Sequence, residues 1–256
     1  MDVVIFCGGR GTRLMEKTTI MPKPLVNIGN KPILWHIMKN YSHFGHNRFI
    51  LTLGYKGEMI KRYFLEFPWL ENHFEISLGS IQTPKPKEDW NVVLLDTGIE
   101  TNTQKRFFLS KEHIKSDRFM TTYGDGIGNI NLHELEKRHD FLNKKYGVLG
   151  TITVLNPESR FGIVRIGEHL VEDFKEKPII NEFVNIGYMV FEKYVLDMID
   201  ESDVMMETHL LEILAKEGKL GFYHHKGFWE CMDSYKDYTN LNNLYKNGMP
   251  WKVWND

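Results

Sequence analysis

The chain has 256 residues, 42% of them hydrophobic and 13% aromatic, enough apolar material for the core of one large α/β domain spanning residues 1–256. Its 32 basic side chains nearly balance 34 acidic ones, which excludes a global field for holding nucleic acid or an anionic membrane and leaves anion binding to local placement. No apolar run approaches the roughly 18 to 20 residues of a membrane span, and Cys7 and Cys231 lie in unrelated segments that fit neither a disulfide framework nor a C-x-x-C zinc pattern.

Residues 3–6 form a strand-like apolar run with no basic and long apolar leader before it, which predicts a cytoplasmic protein. Next comes Gly8-Gly9-Arg10-Gly11-Thr12-Arg13-Leu14. Backbone amides free of side-chain bulk can curl around an anion there, and the spacing is neither a Walker loop nor the G-x-G-x-x-G dinucleotide pattern. Arg13 offers a planar fork to paired phosphate oxygens, and Lys23, between Pro22 and Pro24, a point charge on a stiffened segment. A tight turn with a solvated arginine and a surface kink is the competing reading of the same residues.

From 33 to 44 the apolar residues Ile33, Leu34, Ile37, Met38, Tyr41 and Phe44 share one helical face, closed by Gly45. A strand over 48–53, a helix over 56–67 and strands over 91–95 and 119–123 continue a β-α-β rhythm, with a surface loop at 83–89. The strand at 119–123 leads into Gly124-Asp125, which places Asp125 at the carboxyl end of a parallel sheet, where a carboxylate can hold magnesium. Asp-Gly is also a common turn pair.

After a helix over 132–143, strands at 148–155, 162–166, 170–174 and 183–191 read as antiparallel additions. Glu176 and Lys177 sit in a charged turn after the third of these. Asn185-Ile186-Gly187 interrupts the apolar fourth strand, where a polar residue and a glycine are unexpected unless something approaches closely. Helices over 194–199, 207–217 and 235–247 close the chain, and Asp233 stands where an N-cap commonly does. His36, the His224-His225 pair and Met205-Met206 receive no role, since such residues at apolar positions usually pack.

Gly-Gly-x-Gly-Thr-Arg-Leu after a first strand, followed by Pro-Lys-Pro, resembles the signature of the sugar-phosphate nucleotidylyltransferases. The stretch from Lys31 to Lys39 and the closing Gly248-x-Pro250-Trp251-Lys252 are similar to the branch that acts on CTP and glucose 1-phosphate. The resemblance implies a Rossmann-like, mixed but mostly parallel sheet flanked by helices, with a small antiparallel β-rich insertion, as in nucleotide-diphospho-sugar transferases. It implies a Mg²⁺ enzyme that takes a nucleoside triphosphate and a sugar 1-phosphate and assembles as a homo-oligomer.

Residue by residue, the resemblance gives nucleotide contacts to Gly8, Gly9, Gly11, Thr12, Arg13, Lys23, Thr103, Arg106, Gly124 and Asp125, catalytic roles to Arg13, Lys23 and Asp125, and metal ligation to Asp125 and Asp233. Glu176, Lys177, Asn185 and Gly187 would face the sugar phosphate. Gln104 and Lys105 replace two glycines of the family's Thr-Gly-Gly-Arg, which alters a segment expected to close as a loop, and Ile186 replaces the middle glycine of an Asn-Gly-Gly. UTP or dTTP, or another acceptor, stay open as substrates, as do a glycosyltransferase or a non-catalytic nucleotide-sugar sensor on the same fold.

Overall fold

The computed structural model describes residues 1–72 and 83–255. In chain order its strands are β1 (Asp2–Cys7), β2 (Asn27–Ile28), β3 (Lys31–Pro32), β4 (Arg48–Leu53), β5 (Asn91–Asp96), β6 (Arg118–Tyr123), β7 (Gly126–Gly128), β8 (Gly150–Leu155), β9 (Ile163–Ile166), β10 (Val171–Lys175), β11 (Val184–Glu192), β12 (Leu220–His224) and β13 (Trp229–Cys231). The α-helices are α1 (Met15–Thr18), α2 (Ile33–His43), α3 (Gly57–Leu70), α4 (Thr103–Ser110), α5 (Leu132–Tyr146), α6 (Leu210–Lys216) and α7 (Tyr235–Lys246). None of the described helices is long and apolar enough to cross a membrane.

Seven strands form the main sheet in the order β12-β8-β11-β6-β1-β4-β5. β1 lies at its middle, paired in parallel with β4 and β6, and all six of its residues are buried. That is why it reads as an unbroken apolar run: a parallel strand covered on both faces has no polar side to present. One core packs α2 and the last tryptophans, Trp251 and Trp254, against one face, and a second core around Phe107, Phe119 and Phe191 fills the other. In α2, Ile33, Leu34, Ile37, Met38 and Tyr41 are all fully buried, and each such side chain contributes about 1.5–3 kcal/mol of transfer free energy.

The chain runs outward from β1 to β4 and β5, then returns to the other side of β1 as β6. The strand order therefore reverses between β1 and β6, and the crevice beyond their carboxyl ends is where open α/β sheets bind ligands. The loops that follow these two strands carry Gly8–Arg13 and Gly124-Asp125.

Several expectations need correcting. The strand expected over 148–155 is not an antiparallel addition: β11 runs antiparallel to both β6 and β8, so β8 shares the direction of the parallel majority, with β12 parallel beside it. Residues 194–199 are not an α-helix: a short 3₁₀ turn, Lys193–Asp197, takes the first four of them and ends before Met198. The helix expected from 207 starts only at Leu210. The segment 103–106, expected as a closing loop, is the first turn of α4. β9 and β10 form a separate antiparallel ribbon, joined to its base by Ser159 and Ile180 amides that donate to the Pro178 and Pro157 carbonyls.

Candidate active site

The turn after β1 depends on glycine at two places. Gly11 has φ 62°, in the left-handed region, and starts the 3₁₀ turn Thr12–Leu14 that carries Arg13. A Cβ on Gly8 would lie 2.0 Å from Nη1 of Arg106, so only a bare backbone fits against that guanidinium. Arg106 is buried and its donors meet oxygens of three loops: Leu53 O at 3.0 Å, Thr97 Oγ1 at 2.5 Å, Thr101 O at 2.8 Å and, more weakly, Gly8 O at 3.4 Å. It ties the glycine turn to the ends of β4 and β5. Gly9 and Thr12 are exposed at the mouth, where Arg10 pairs with Glu100.

Lys23 is not on a surface kink. It is 8% exposed, and its ammonium donates to Asp125 Oδ2 at 2.8 Å and to Asp233 Oδ1 at 2.6 Å. Burial pulls the Lys23 pKa down, but the Asp125 charge and the two hydrogen bonds outweigh it and leave the group above its ordinary value. For Asp233 burial pushes up, and the Lys23 bond and charge, then Arg13 and Arg160, overcome it and hold the carboxyl below the usual range. Arg13 donates to Asp233 Oδ2 at 2.6 Å from a side chain that is 75% exposed, so this contact is screened and easily exchanged for another anion.

Two carboxylates far apart in sequence meet because β13 pairs antiparallel with β7. The register sets Cys231 opposite Gly126, and the Met232 amide donates to the Asp125 carbonyl at 2.9 Å. Asp233 is free for this because Ser234, not Asp233, caps α7, in a capping box with Asp237. A ligand atom from each of Asp125, Cys231 and Asp233 lies within 4.8 Å of the others. Two hard carboxylate oxygens suit a magnesium-type cation, so the side chains present fit the metal that the sequence implies. Both cysteines are free thiols.

A cleft of about 490 Å³ opens over this group, lined by the glycine turn on one side and by residues 99–103 on the other. That volume suits a small-molecule ligand. Gly124 lies on its floor with its amide on the Phe6 carbonyl at 3.0 Å. Thr103, at the first turn of α4, donates through Oγ1 to Glu207 Oε2 at 2.8 Å, and Tyr123 donates its hydroxyl to the other oxygen of Glu207. Glu207, Tyr123 and Cys231 were not singled out from sequence. Glu207 lay hidden in a stretch with helical spacing.

The residues expected on the sugar side are placed differently. Glu176 and Lys177 stand in the turn that follows β10, 3.5 Å from each other, and neither is among the described residues lining the cleft. Lys177 has φ 45°, a left-handed conformation uncommon for a residue with a side chain. Asn185 and Gly187 lie in an irregular stretch of β11, where Asn185 Oδ1 accepts from the Gly187 amide at 2.9 Å. Ile186 points into the core and is buried. His36 is also a core residue, with one ring nitrogen 3.0 Å from the Ile28 carbonyl.

The family model described as Nucleotidyl transferase matches residues 2–248. A Bacillus subtilis (strain 168) protein named "Probable glucose-1-phosphate cytidylyltransferase" is 41% identical over 258 residues, covering 99% of this chain and 100% of that protein. The Salmonella typhimurium (strain LT2) glucose-1-phosphate cytidylyltransferase is 40% identical over 266 residues with the same coverage. Among solved structures, UDP-glucose pyrophosphorylase complexed with UDP-glucose superposes with a TM-score of 0.66 at 18% identity, covering 96% of this chain and 98% of that one. The inositol-1-phosphate CTP transferase from T. maritima gives 0.64 at 16%, covering 97% of both. At these identities the structures share the fold.

Proposed function

The chain belongs to the nucleotidyl transferase family, and from that premise we propose that it joins CTP to glucose 1-phosphate, giving CDP-glucose and pyrophosphate. The observation that carries this reading is the meeting of Lys23, Asp125 and Asp233 beside the glycine turn at the switch point of the sheet. A phosphate oxygen of the sugar attacks the α-phosphorus. The new P–O bond forms in line with the breaking bond, whose electrons leave on pyrophosphate. No covalent enzyme intermediate is required.

The chemical problem is to hold two polyanions together, so positioning and charge neutralisation dominate. The Gly8, Gly9, Gly11 and Thr12 backbone receives the triphosphate, Arg13 the leaving pyrophosphate and Lys23 the α-phosphate. Thr103 and Gly124 border the nucleotide, and Arg106 serves it by holding the turn in shape. Asp125 and Asp233 would hold Mg²⁺, which when bound shields the phosphate charge. Lys177 takes the acceptor phosphate and Glu176, Asn185 and Gly187 its sugar, which requires the ribbon's base to come over the cleft. The charge of Arg160, just before the ribbon, already reaches Asp233.

A cytoplasmic setting, where nucleoside triphosphates are held, goes with this reading. So does self-association through the ribbon, which displays Phe161, Ile166, Leu170, Val171 and Phe174 to solvent on a two-stranded element too small to be stable by itself. The reaction is tested by pyrophosphate release from purified protein with Mg²⁺, CTP and glucose 1-phosphate, beside UTP, dTTP and a reaction without sugar phosphate. Release that requires both CTP and the sugar is expected. Release with another nucleotide would keep the chemistry and discard cytosine, and none with any nucleotide would discard the reaction.

A further inference from the structure

Where the resembled motif carries two glycines, this chain carries Gln104 and Lys105 in a helix whose start is bonded to the segment 202–209. The Asn102 amide donates to Asp203 Oδ1 at 2.6 Å, and its side chain donates to the Asp203 carbonyl at 3.1 Å. Thr103 Oγ1 donates to Glu207 at 2.8 Å and accepts from the Met206 amide at 2.8 Å. The Gln104 amide donates to the Val204 carbonyl at 3.1 Å. The Gln104 side chain bonds the segment at both ends: Nε2 donates to Ser202 Oγ at 3.1 Å, and Oε1 accepts from His209 Nδ1 at 2.7 Å.

Two pieces of cleft wall are fastened by this network, Thr101–Thr103 from one side and Met205 and Glu207 from the other. Gln104 itself is fully buried and does not line the cleft, nor does His209. A glycine pair at 104–105 would leave the wall free to order on binding, at an entropic cost charged to affinity. A buried glutamine with both ends of its amide engaged removes that freedom beforehand.

We propose that Gln104 is a positioning residue that fixes the nucleotide-side wall of the cleft through Ser202 and His209, so that this chain binds its nucleotide in a preformed site instead of closing a glycine hinge around it. The proposal rests on the reading of the cleft as the nucleotide site. It makes residue 104 a determinant of nucleotide affinity without touching the nucleotide, and it leaves the acceptor side alone.

The test uses the full chain and the variants Gln104→Met, His209→Ala and the double variant. Met keeps the buried volume and the helix propensity while removing both hydrogen bonds. KM for each substrate, kcat and the melting temperature are measured together. Expected is a rise of about tenfold in KM for CTP in Gln104→Met, the loss of one or two net hydrogen bonds, with kcat and KM for glucose 1-phosphate within about twofold. The double variant should be no worse than the worse single one, because both break one connection. Unchanged KM for CTP, or a parallel rise of both KM values as the melting temperature falls, overturns the proposal. If Gln104→Met does not fold, the same split in His209→Ala decides. Wild-type protein that turns over UTP or dTTP instead moves the substrate reading and leaves the test intact on that nucleotide. Wild-type protein inert with every triphosphate sinks the functional reading and this proposal with it.

Discussion

Lys23 in the cleft is 8% exposed and held between two carboxylates, whereas Lys177 beside the β9–β10 ribbon has a side chain 47% exposed and meets Glu176 at 3.5 Å. Both are lysines assigned to phosphates of the same reaction. The cleft lysine is placed by the core: its segment is pinned by prolines, and its partners sit on the β6 loop and the β7–β13 ladder. The ribbon lysine is placed by a two-stranded element with solvent on both faces. On the proposed reading, phosphate charge is met by a buried lysine held between two carboxylates, and the acceptor by an exposed lysine beside a two-stranded element. That division would let an acceptor enter a cleft whose nucleotide side is already fastened, as proposed above.

The largest expected effect lies on the rigid side. Asp125→Asn should lower kcat about a thousandfold if Asp125 holds Mg²⁺ as proposed, since an amide is a poor ligand for that cation. The melting temperature should stay close to that of the wild type, because Lys23 keeps Asp233 as its partner. Near-normal turnover would remove Asp125 from the chemistry.

The core beneath that side should announce itself in acid. His36 is buried with Nε2 on the Ile28 carbonyl, and Nδ1 faces the Trp251 indole N–H at 3.4 Å, an arrangement that suits the neutral ring. Burial, against the pull of the Ile28 carbonyl, brings its pKa down to about 4 from 6.5. Because the folded value is the lower one, the unfolded chain takes up this proton first. Stability attributable to the neutral ring is complete above pH 6.5 and falls as pH drops toward 4, by about 3 kcal/mol in all. Urea midpoints from pH 7 to 4 should decline more steeply for the wild type than for His36→Gln, and equal slopes would mean that the ring is charged in the fold.

On the ribbon side the expected effect is smaller and confined to one substrate. Lys177→Ala should raise KM for glucose 1-phosphate about ten- to thirtyfold, the worth of one charge-assisted hydrogen bond, and leave KM for CTP unchanged. No change in either constant would show that the ribbon's base stays away from the cleft, and the comparison of the two lysines would collapse to that of a catalytic residue with a surface one.

The same contrast governs what could be read from sequence. The glycine turn was legible because its strand, its spacing and Pro-Lys-Pro are local, α2 because one-sided burial imposes a period, and β1 and β4 because burial on both faces leaves a continuous apolar run. The pairing of Asp125 with Asp233 was not legible physically, since it depends on two three-residue strands, Gly-Ile-Gly and Trp-Glu-Cys, with no period to betray them; only resemblance suggested it. Strand direction was equally hidden: nothing in the residues of β8 says that β11 will insert between it and β6. Glu207 sat in a run whose helical spacing is real but whose helix begins three residues later, which leaves Glu207 outside the helix to reach the cleft wall and Thr103.

The smallest effect is the one that tests what the ribbon is for. Ile166 and Leu170 are 77% and 79% exposed, so charging them costs the isolated chain little apolar burial, about 0.5 kcal/mol or less. If the ribbon is covered by a second copy, Ile166→Asp with Leu170→Asp places charges into that interface, and sedimentation should show a smaller species whose melting temperature depends less on protein concentration. If the ribbon is bare in solution, mass and melting temperature should match the wild type. Read with Lys177→Ala, the result separates two ways of holding the acceptor. Loss of assembly together with a raised KM for the sugar phosphate would mean that neighbouring copies hold the ribbon over the cleft; loss of assembly with that KM unchanged would mean that the ribbon finds the acceptor from its own base.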